Sequence, residues 1–362
     1  MRPLSDTVAR LSKLHARAPA PPPVDRLTPL SAFGANPGVL AAKVYVPTDL
    51  PDKAALVVVL HGCTQTAAGY DYASGWSRLA EEYGFVVLYP EQSRANNANL
   101  CFNWFVGDDI KRGQGEAKSI AEMIDAVCRQ HPIDQRRVYI TGLSAGGAMA
   151  NVMLATYPEL FAGGAIIAGL PYGVAGTIPE AFDRMRGHGI PTTSVMQRTL
   201  RDASQYHGPL PTVAVWHGTA DRTVALANAD AIVEQWMAAQ NIVGPASVTN
   251  LQDGLARTAW KDGGGQVAIE QYRITGMSHG APLDVSTGTE NAAPFMVDVG
   301  VSSTRLIAHS WGLTPSFEQR QPAKTAAPYD MAKGGPAPAA EHSTSGIQKV
   351  IEDALRAAGL MG

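Results

Sequence analysis

The stretch "YITGLSAGGAMANVM", residues 139–153, passes from strand formers to helix formers within a few positions. At the change-over, Gly142-Leu143-Ser144-Ala145-Gly146 fits the pattern G-x-S-x-G. A lone match to so short a pattern is weak, because small residues are common where strands hand over to helices. The setting is more specific. With "RRVYIT" before it and "GAMANVMLATYP" after it, the motif reads as a sharp turn that lifts a serine hydroxyl above a sheet. Flanking glycines remove Cβ atoms that would collide as strand and helix close on the turn. The helix N-terminus also aims amide dipoles at charge developing there. Ser144 is therefore a candidate nucleophile, against the alternative of a structural strand-to-helix junction.

Working outward, strands and helices alternate on both sides of this turn. "KVYVP" (43–47), "ALVVVLHG" (55–62), "GFVVLYPE", "RRVYITG", "GGAIIAG" and "PTVAVWHG" read as strands. Helices are expected around Gly75–Tyr83, over "GQGEAKSIAEMIDAVCRQH", from the turn to near Tyr157, within 179–205 and over "ANADAIVEQWMAAQ". "ARTAWK" and "VAIEQYRIT" form a last strand pair joined by "DGGG". Near-continuous apolar strands separated by helices predict an α/β fold with a mostly parallel central sheet covered on both faces. The catalytic unit is expected over 40–312. Residues 1–39 read as a short amphipathic helix (Leu4, Val8, Leu11, Leu14) and a proline-rich tether. Residues 313–362 read as a Pro/Ala-rich tether followed by a helix over 347–359, with Ile347, Val350, Ile351, Ala354 and Leu355 on one face.

Composition narrows the function classes. At 362 residues and 45% hydrophobic the chain can bury a large core. A net charge of −3 gives no bulk argument for nucleic acid or an anionic membrane. Apolar runs such as "AALVVVL" are strand-sized and far too short to span a bilayer. The N-terminus lacks the continuous apolar core of a secretory signal. Cys63, Cys101 and Cys128 show no paired zinc-ligand spacing and permit at most one disulfide. Composition leaves the compartment open, and nothing in it reports an oligomeric state.

A serine nucleophile needs a base, a group to orient that base, and an oxyanion hole. In this architecture the partners follow in the order Ser, acid, His. His279, in "RITGMSHGAPLD", lies in a Gly-flanked loop after the last strand and is the candidate base. His217 closes a strand, and His309 sits in the helix-like "STRLIAHSW"; both are weaker. Asp221, in "VWHGTADRTV", is the candidate acid, with an N-cap for the following helix as the alternative. Asp230 and Asp253 are less well placed. Oxyanion donors are expected from the N–H groups of Ala145 and Cys63, the latter in "VVVLHGCTQT". His61 reads as a brace for that loop. Trp104, in "ANNANLCFNWFVG", and Trp216 each read as a pocket wall or as packing.

"LHGCTQT", "LYPEQ" with "NLCFNWF", the stretch from "RVYITGLSAGG" to "GLPYG", "VAVWHGTADRTV" and "GMSHGAPLD" together resemble the polyhydroxybutyrate depolymerase-like esterases. That family is akin to feruloyl and acetylxylan esterases and has the α/β-hydrolase fold. The resemblance covers roughly residues 40–312. It implies Ser144 as nucleophile, His279 as base, Asp221 as orienting acid, and Cys63 and Ala145 as oxyanion donors. It also implies a Cys63–Cys101 disulfide, with Cys128 left as a buried thiol, and hence an extracellular or periplasmic setting. The expected chemistry is two-step acyl transfer with no cofactor and no metal. Expected substrates are soluble hydroxybutyrate oligomers, short acyl esters or accessible amorphous polyester, since no polymer-binding module is visible. Two other readings are a feruloyl or acetylxylan esterase with the same triad, and a non-catalytic binding protein of the same fold.

Overall fold

The computed structural model describes residues 25–315. The helices expected near residues 4–14 and over 347–359 lie outside the described residues. In chain order the elements are β1 (Thr28–Pro29), β2 (Ala41–Tyr45), β3 (Ala54–Leu60), α1 (Ala67–Ser74), α2 (Trp76–Tyr83), β4 (Val86–Glu91), α3 (Gly115–Gln130) and β5 (Ile133–Leu143). They continue with α4 (Ala145–Thr156), β6 (Gly163–Ile167), α5 (Ile178–Met185), α6 (Thr193–Arg201), β7 (Thr212–Gly218) and α7 (Ala227–Ala239). The last are β8 (Ser247–Gln252), β9 (Leu255–Lys261), β10 (Val267–Ile274), β11 (Ala281–Leu283), β12 (Met296–Asp298) and α8 (Ser303–Ser310).

Ten strands form one sheet in the order β1-β2-β4-β3-β5-β6-β7-β10-β9-β8. From β4 to β10 every neighbouring pair is parallel, and the antiparallel pairs lie at the two edges. The core explains the near-continuous apolar runs. All seven residues of β3 are buried, and from Ala55 to Leu60 they alternate between two clusters. Leu56, Val58 and Leu60 pack with α3, α4 and α7, where Ile120, Met149 and Trp236 contribute. Ala55, Val57 and Val59 pack with α1, α2 and α8, where Tyr70, Trp76 and Ile307 contribute. Both faces are therefore covered, as a parallel sheet requires. On the first face, the Trp236 indole donates to Asn151 Oδ1 at 2.8 Å and ties α7 to α4. This is the α/β-hydrolase arrangement expected from the sequence.

Three local differences have physical causes. The helix expected near Gly75–Tyr83 is preceded by a separate helix, because Gly75 takes a left-handed φ of 71° that ends α1 before α2 begins. Strand β8 carries no readable alternation: its residues are almost all exposed, and pairing with β9 alone organises it. Thr28–Pro29, in the stretch that reads as a tether, pairs with β2, and Leu27 and Leu30 beside it are buried. The β9–β10 hairpin forms as expected, its turn held by Asp262 Oδ1, which accepts from the amides of Gly264 and Gln266.

Parallel strands share one C-terminal edge, and ligand sites of open α/β sheets collect there. The chain leaves β3 at His61, β5 at Ser144, β7 towards Asp221 and β10 towards His279. The candidate residues thus converge from four separate strands.

Candidate active site

Ser144 occupies the turn between β5 and α4 with φ 57° and ψ −117°, a conformation costly for a residue with a Cβ. The surroundings hold it there. Its N–H donates to the Ile167 carbonyl at 2.9 Å, and its own carbonyl accepts from Ala148 N–H at 2.8 Å. The turn is closed so tightly that a Cβ on Gly146 would lie 2.4 Å from the carbonyl oxygens of both Leu60 and His61. One on Gly142 would lie 2.3 Å from the Gly146 carbonyl oxygen. Gly146→Ala must therefore push α4 away from β3. The expected cost is about 1–3 kcal/mol, read as a drop in thermal midpoint, whereas an unchanged midpoint would mean the turn is looser than described.

Ser144, His279 and Asp221 meet although they are far apart in sequence. The Ser144 hydroxyl stands 2.9 Å from His279 Nε2, and His279 Nδ1 stands 2.7 Å from Asp221 Oδ2. A carboxylate can only accept, so Nδ1 carries the imidazole proton and Nε2 is left to accept from the serine. The Asp221 side chain is fully buried and that of His279 nearly so. Asp221 Oδ1 accepts from the amides of Thr223 and Val224, each at 2.8 Å. The residue thus closes its own loop and reaches the histidine, but it does not cap the following helix as the alternative reading has it: α7 starts only at Ala227, and Leu226 holds its N-cap position without a side-chain bond. Burial opposes its charge, but hydrogen bonds from His217 and His279 and their electrostatic attraction outweigh it. The carboxyl is held well below the usual range.

The turn after β3 carries Cys63, and the disulfide to Cys101 joins it to the loop after β4 across 38 residues of sequence. Thr64 N–H donates to the Asn99 carbonyl at 2.7 Å and reinforces the same junction. Among the described residues, the amides of Cys63 and Ala145 have no hydrogen-bond acceptor, and both residues line the cavity beside Ser144. His61 braces this turn as expected. Its Nε2 accepts from Gln92 N–H at 3.1 Å, so Nδ1 bears the proton and donates to the Gly62 carbonyl at 2.8 Å. Burial holds its pKa down.

Sequence reasoning missed the support of the Asn-rich loop. Glu116, fully buried at the start of α3, accepts from Gln92 Nε2 at 2.6 Å, Asn96 Nδ2 at 3.1 Å and Asn103 N–H at 2.9 Å. Burial pushes its carboxyl up to about 8, against those three donors. Cys128, on α3, is a free and only half-buried thiol.

Over Ser144 and His279 opens a cavity of about 430 Å³, with Asp221 buried behind the histidine. Trp104 lines it, its ring edge-to-face with Phe105 at 5.2 Å. Trp216 does not. It is fully buried in the core on the α1, α2 and α8 face, stacked on Tyr272 at 3.8 Å. A strand residue adjacent to one facing the site points to the other face, and that alternation sends Trp216 away from it. The opposite wall comes from Leu170, Val224 and α5. Ile178, Ala181, Phe182 and Met185 of α5 all line the cavity. Their i, i+3, i+4, i+7 spacing in "IPEAFDRM" was the signal available in the sequence.

The family described as esterase PHB depolymerase matches residues 40–253. The chain is 46% identical over 292 residues to poly(3-hydroxyalkanoate) depolymerase C of Paucimonas lemoignei, covering 79% of this chain and 70% of that protein. It is 34% identical over 260 residues to acetylxylan esterase A of Emericella nidulans, covering 68% and 83% respectively. The solved structure of an acetyl xylan esterase from Aspergillus awamori aligns with a TM-score of 0.68 at 25% identity, over 80% of this chain and 99% of that one. The fold and these likenesses agree: the chain is an ester hydrolase and belongs to the esterase PHB depolymerase family.

Proposed function

We propose that the protein is a serine hydrolase of aliphatic polyesters, acting on hydroxyalkanoate oligomers or accessible polymer through Ser144, His279 and Asp221. The observation that carries this reading is the pair of contacts at 2.9 and 2.7 Å that runs from Ser144, on the cavity wall, through His279 to the buried Asp221. His279 takes the Ser144 proton as the hydroxyl attacks the ester carbonyl. The amides of Cys63 and Ala145 hold the oxyanion, and His279 then protonates the leaving alcohol. Water, deprotonated by the same imidazole, attacks the acyl-enzyme and releases the acid. The alcohol and the acid are the two products, so the cycle balances without a cofactor or a metal.

The cavity supports a neutral, largely apolar substrate. Apart from His279, none of its described lining side chains is ionisable, and Leu170, Phe182, Met185, Trp104 and Phe295 supply apolar surface. A hydroxyalkanoate chain presents methyl or methylene groups between uncharged esters and matches such walls. The relatives named as acetylxylan esterases favour a second reading, the hydrolysis of plant cell-wall esters. Side-by-side kcat/KM values on hydroxybutyrate oligomers, methyl ferulate and acetylated xylan separate the two. Oligomers are expected to lead by at least about tenfold, a difference worth ~1.4 kcal/mol at the transition state. A lead by either cell-wall ester would transfer the assignment. The Cys63–Cys101 disulfide supports an oxidising compartment, extracellular or periplasmic. Among the described residues no helix is long and apolar enough to cross a membrane.

A further inference from the structure

His217 is fully buried at the end of β7. Its Nε2 lies 2.8 Å from the Val224 carbonyl oxygen and 3.4 Å from Asp221 Oδ2, the oxygen that also meets His279. Among the described residues its Nδ1 has no partner. The proton therefore belongs on Nε2, where two acceptors wait, and a second proton on Nδ1 would have nothing to receive it. Arg273 stands across from His217 in β10 and is paired to Asp230 of α7, so that cation is already engaged. A buried imidazole with one satisfied donor and one silent nitrogen is a poor candidate for a base. It is well built to hold something else in place.

What it touches is the fully buried carboxylate of Asp221. Asp221 receives the Thr223 and Val224 amides on Oδ1, and His279 and the longer His217 contact on Oδ2. Those four groups occupy the acceptor positions of both oxygens and leave the carboxylate no free rotation. The shorter arm of His217, to Val224, closes the 217–224 loop, and Val224 is itself a wall of the cavity.

We propose that His217 is a positioning residue of the hydrolytic reaction: one buried N–H, shared between the Val224 carbonyl and Asp221, fixes the carboxylate that orients His279. This rests on the triad reading above. His217 acts through Asp221 and touches neither the substrate nor the attacking oxygen.

The test compares His217→Asn, whose amide reaches only the Nδ1 position, with His217→Gln, whose amide reaches the Nε2 position. Activity is measured per site titrated with a fluorophosphonate, so unfolded protein drops out. His217→Asn is expected to lower kcat about tenfold to a hundredfold with little change in KM, as misplaced catalytic groups do. Its acid limb of kcat/KM should move to higher pH, because a carboxylate with one donor fewer stabilises the imidazolium of His279 more strongly. His217→Gln should recover most of kcat and return the limb. Equal losses in the two variants with an unmoved limb, or wild-type behaviour of His217→Asn, overturn the proposal. A measurement on the unmutated protein does not depend on folding of a variant. Phosphonylation of Ser144 should shift the nitrogen-15 resonance of His217 Nε2, and an unmoved resonance also overturns the proposal. Full activity of a Ser144→Ala variant would instead sink the triad reading itself, so the two failures are distinct.

Discussion

Replacing Ser144 with alanine is expected to lower kcat on p-nitrophenyl acetate about 10⁵- to 10⁶-fold, the scale seen when a triad nucleophile is removed. The change deletes one hydroxyl, whose contact is the one to His279 Nε2 at 2.9 Å. The strained backbone is retained, because alanine at φ 57° carries the same Cβ as serine. The Ile167 and Ala148 hydrogen bonds use main-chain atoms and are unaffected. Stability should therefore shift by no more than about 1 kcal/mol, the net worth of one hydrogen bond. Loss of turnover and of fluorophosphonate labelling in a protein with an unchanged thermal midpoint is the expected combination. Undiminished turnover would remove Ser144 from the chemistry and reopen the reading of a non-catalytic fold.

Asp221→Asn is expected to lower kcat about 10⁴-fold, by changing which nitrogen of His279 bears the proton. The carboxylate meets donors on both oxygens: two amides on Oδ1, and two histidines on Oδ2. An asparagine can satisfy the amides only by turning its NH₂ towards His279. The imidazole must then accept at Nδ1 and carry its proton on Nε2, where it cannot take one from Ser144. The pH dependence follows from the same contacts. Burial opposes charge on Asp221, but the two histidines outweigh it and the carboxyl is held below its ordinary 3.8. A depressed folded value means that the stability supplied by this carboxylate is present above the ordinary carboxyl range. It is lost progressively as pH falls from the ordinary value to below the lower, folded one, while in the folded protein the carboxyl itself takes up a proton only at the lower value. Acid loss of activity in the range where imidazoles take up a proton is therefore expected to involve a single proton, on the histidine. A limb two protons steep in that range would show that Asp221 titrates there as well.

The strand-turn-helix around Ser144, the order of the candidate acid and base, and the mostly parallel sheet were legible because each rests on local chemistry. Apolar runs of strand length, glycines at a crowded turn, and histidine and aspartate just beyond strand ends all carry their meaning within a dozen residues. The bracing role of His61 was legible for the same reason, since no partner set for a base or a metal accompanies it. The second support of Asp221 was not. His217 closes a strand, which makes it a weak candidate for a base in the sequence, and its contact with Asp221 appears only once the loop folds back over four residues. Glu116 gave no signal, because a glutamate in the first turn of a helix is unremarkable until a loop from Gln92 to Asn103 closes over it. The cavity wall on α5 was half legible. Its periodicity is plain in "IPEAFDRM", but an apolar stripe does not say whether it faces a core or a cavity.

By itself, then, the sequence determined the layered α/β architecture, the turn that holds Ser144 and the kind of chemistry its neighbours can perform. Those are consequences of side-chain period, of backbone sterics at glycine and of proton affinity. Tertiary structure alone decided which residues meet. It brought Ser144, His279 and Asp221 within hydrogen-bonding distance over separations of 58 and 135 residues. It also turned Trp104 towards the cavity and Trp216 into the core. The physical reason is that strand pleat and the register of neighbouring strands set the direction of a side chain. Register is a property of the assembled sheet and not of any one segment.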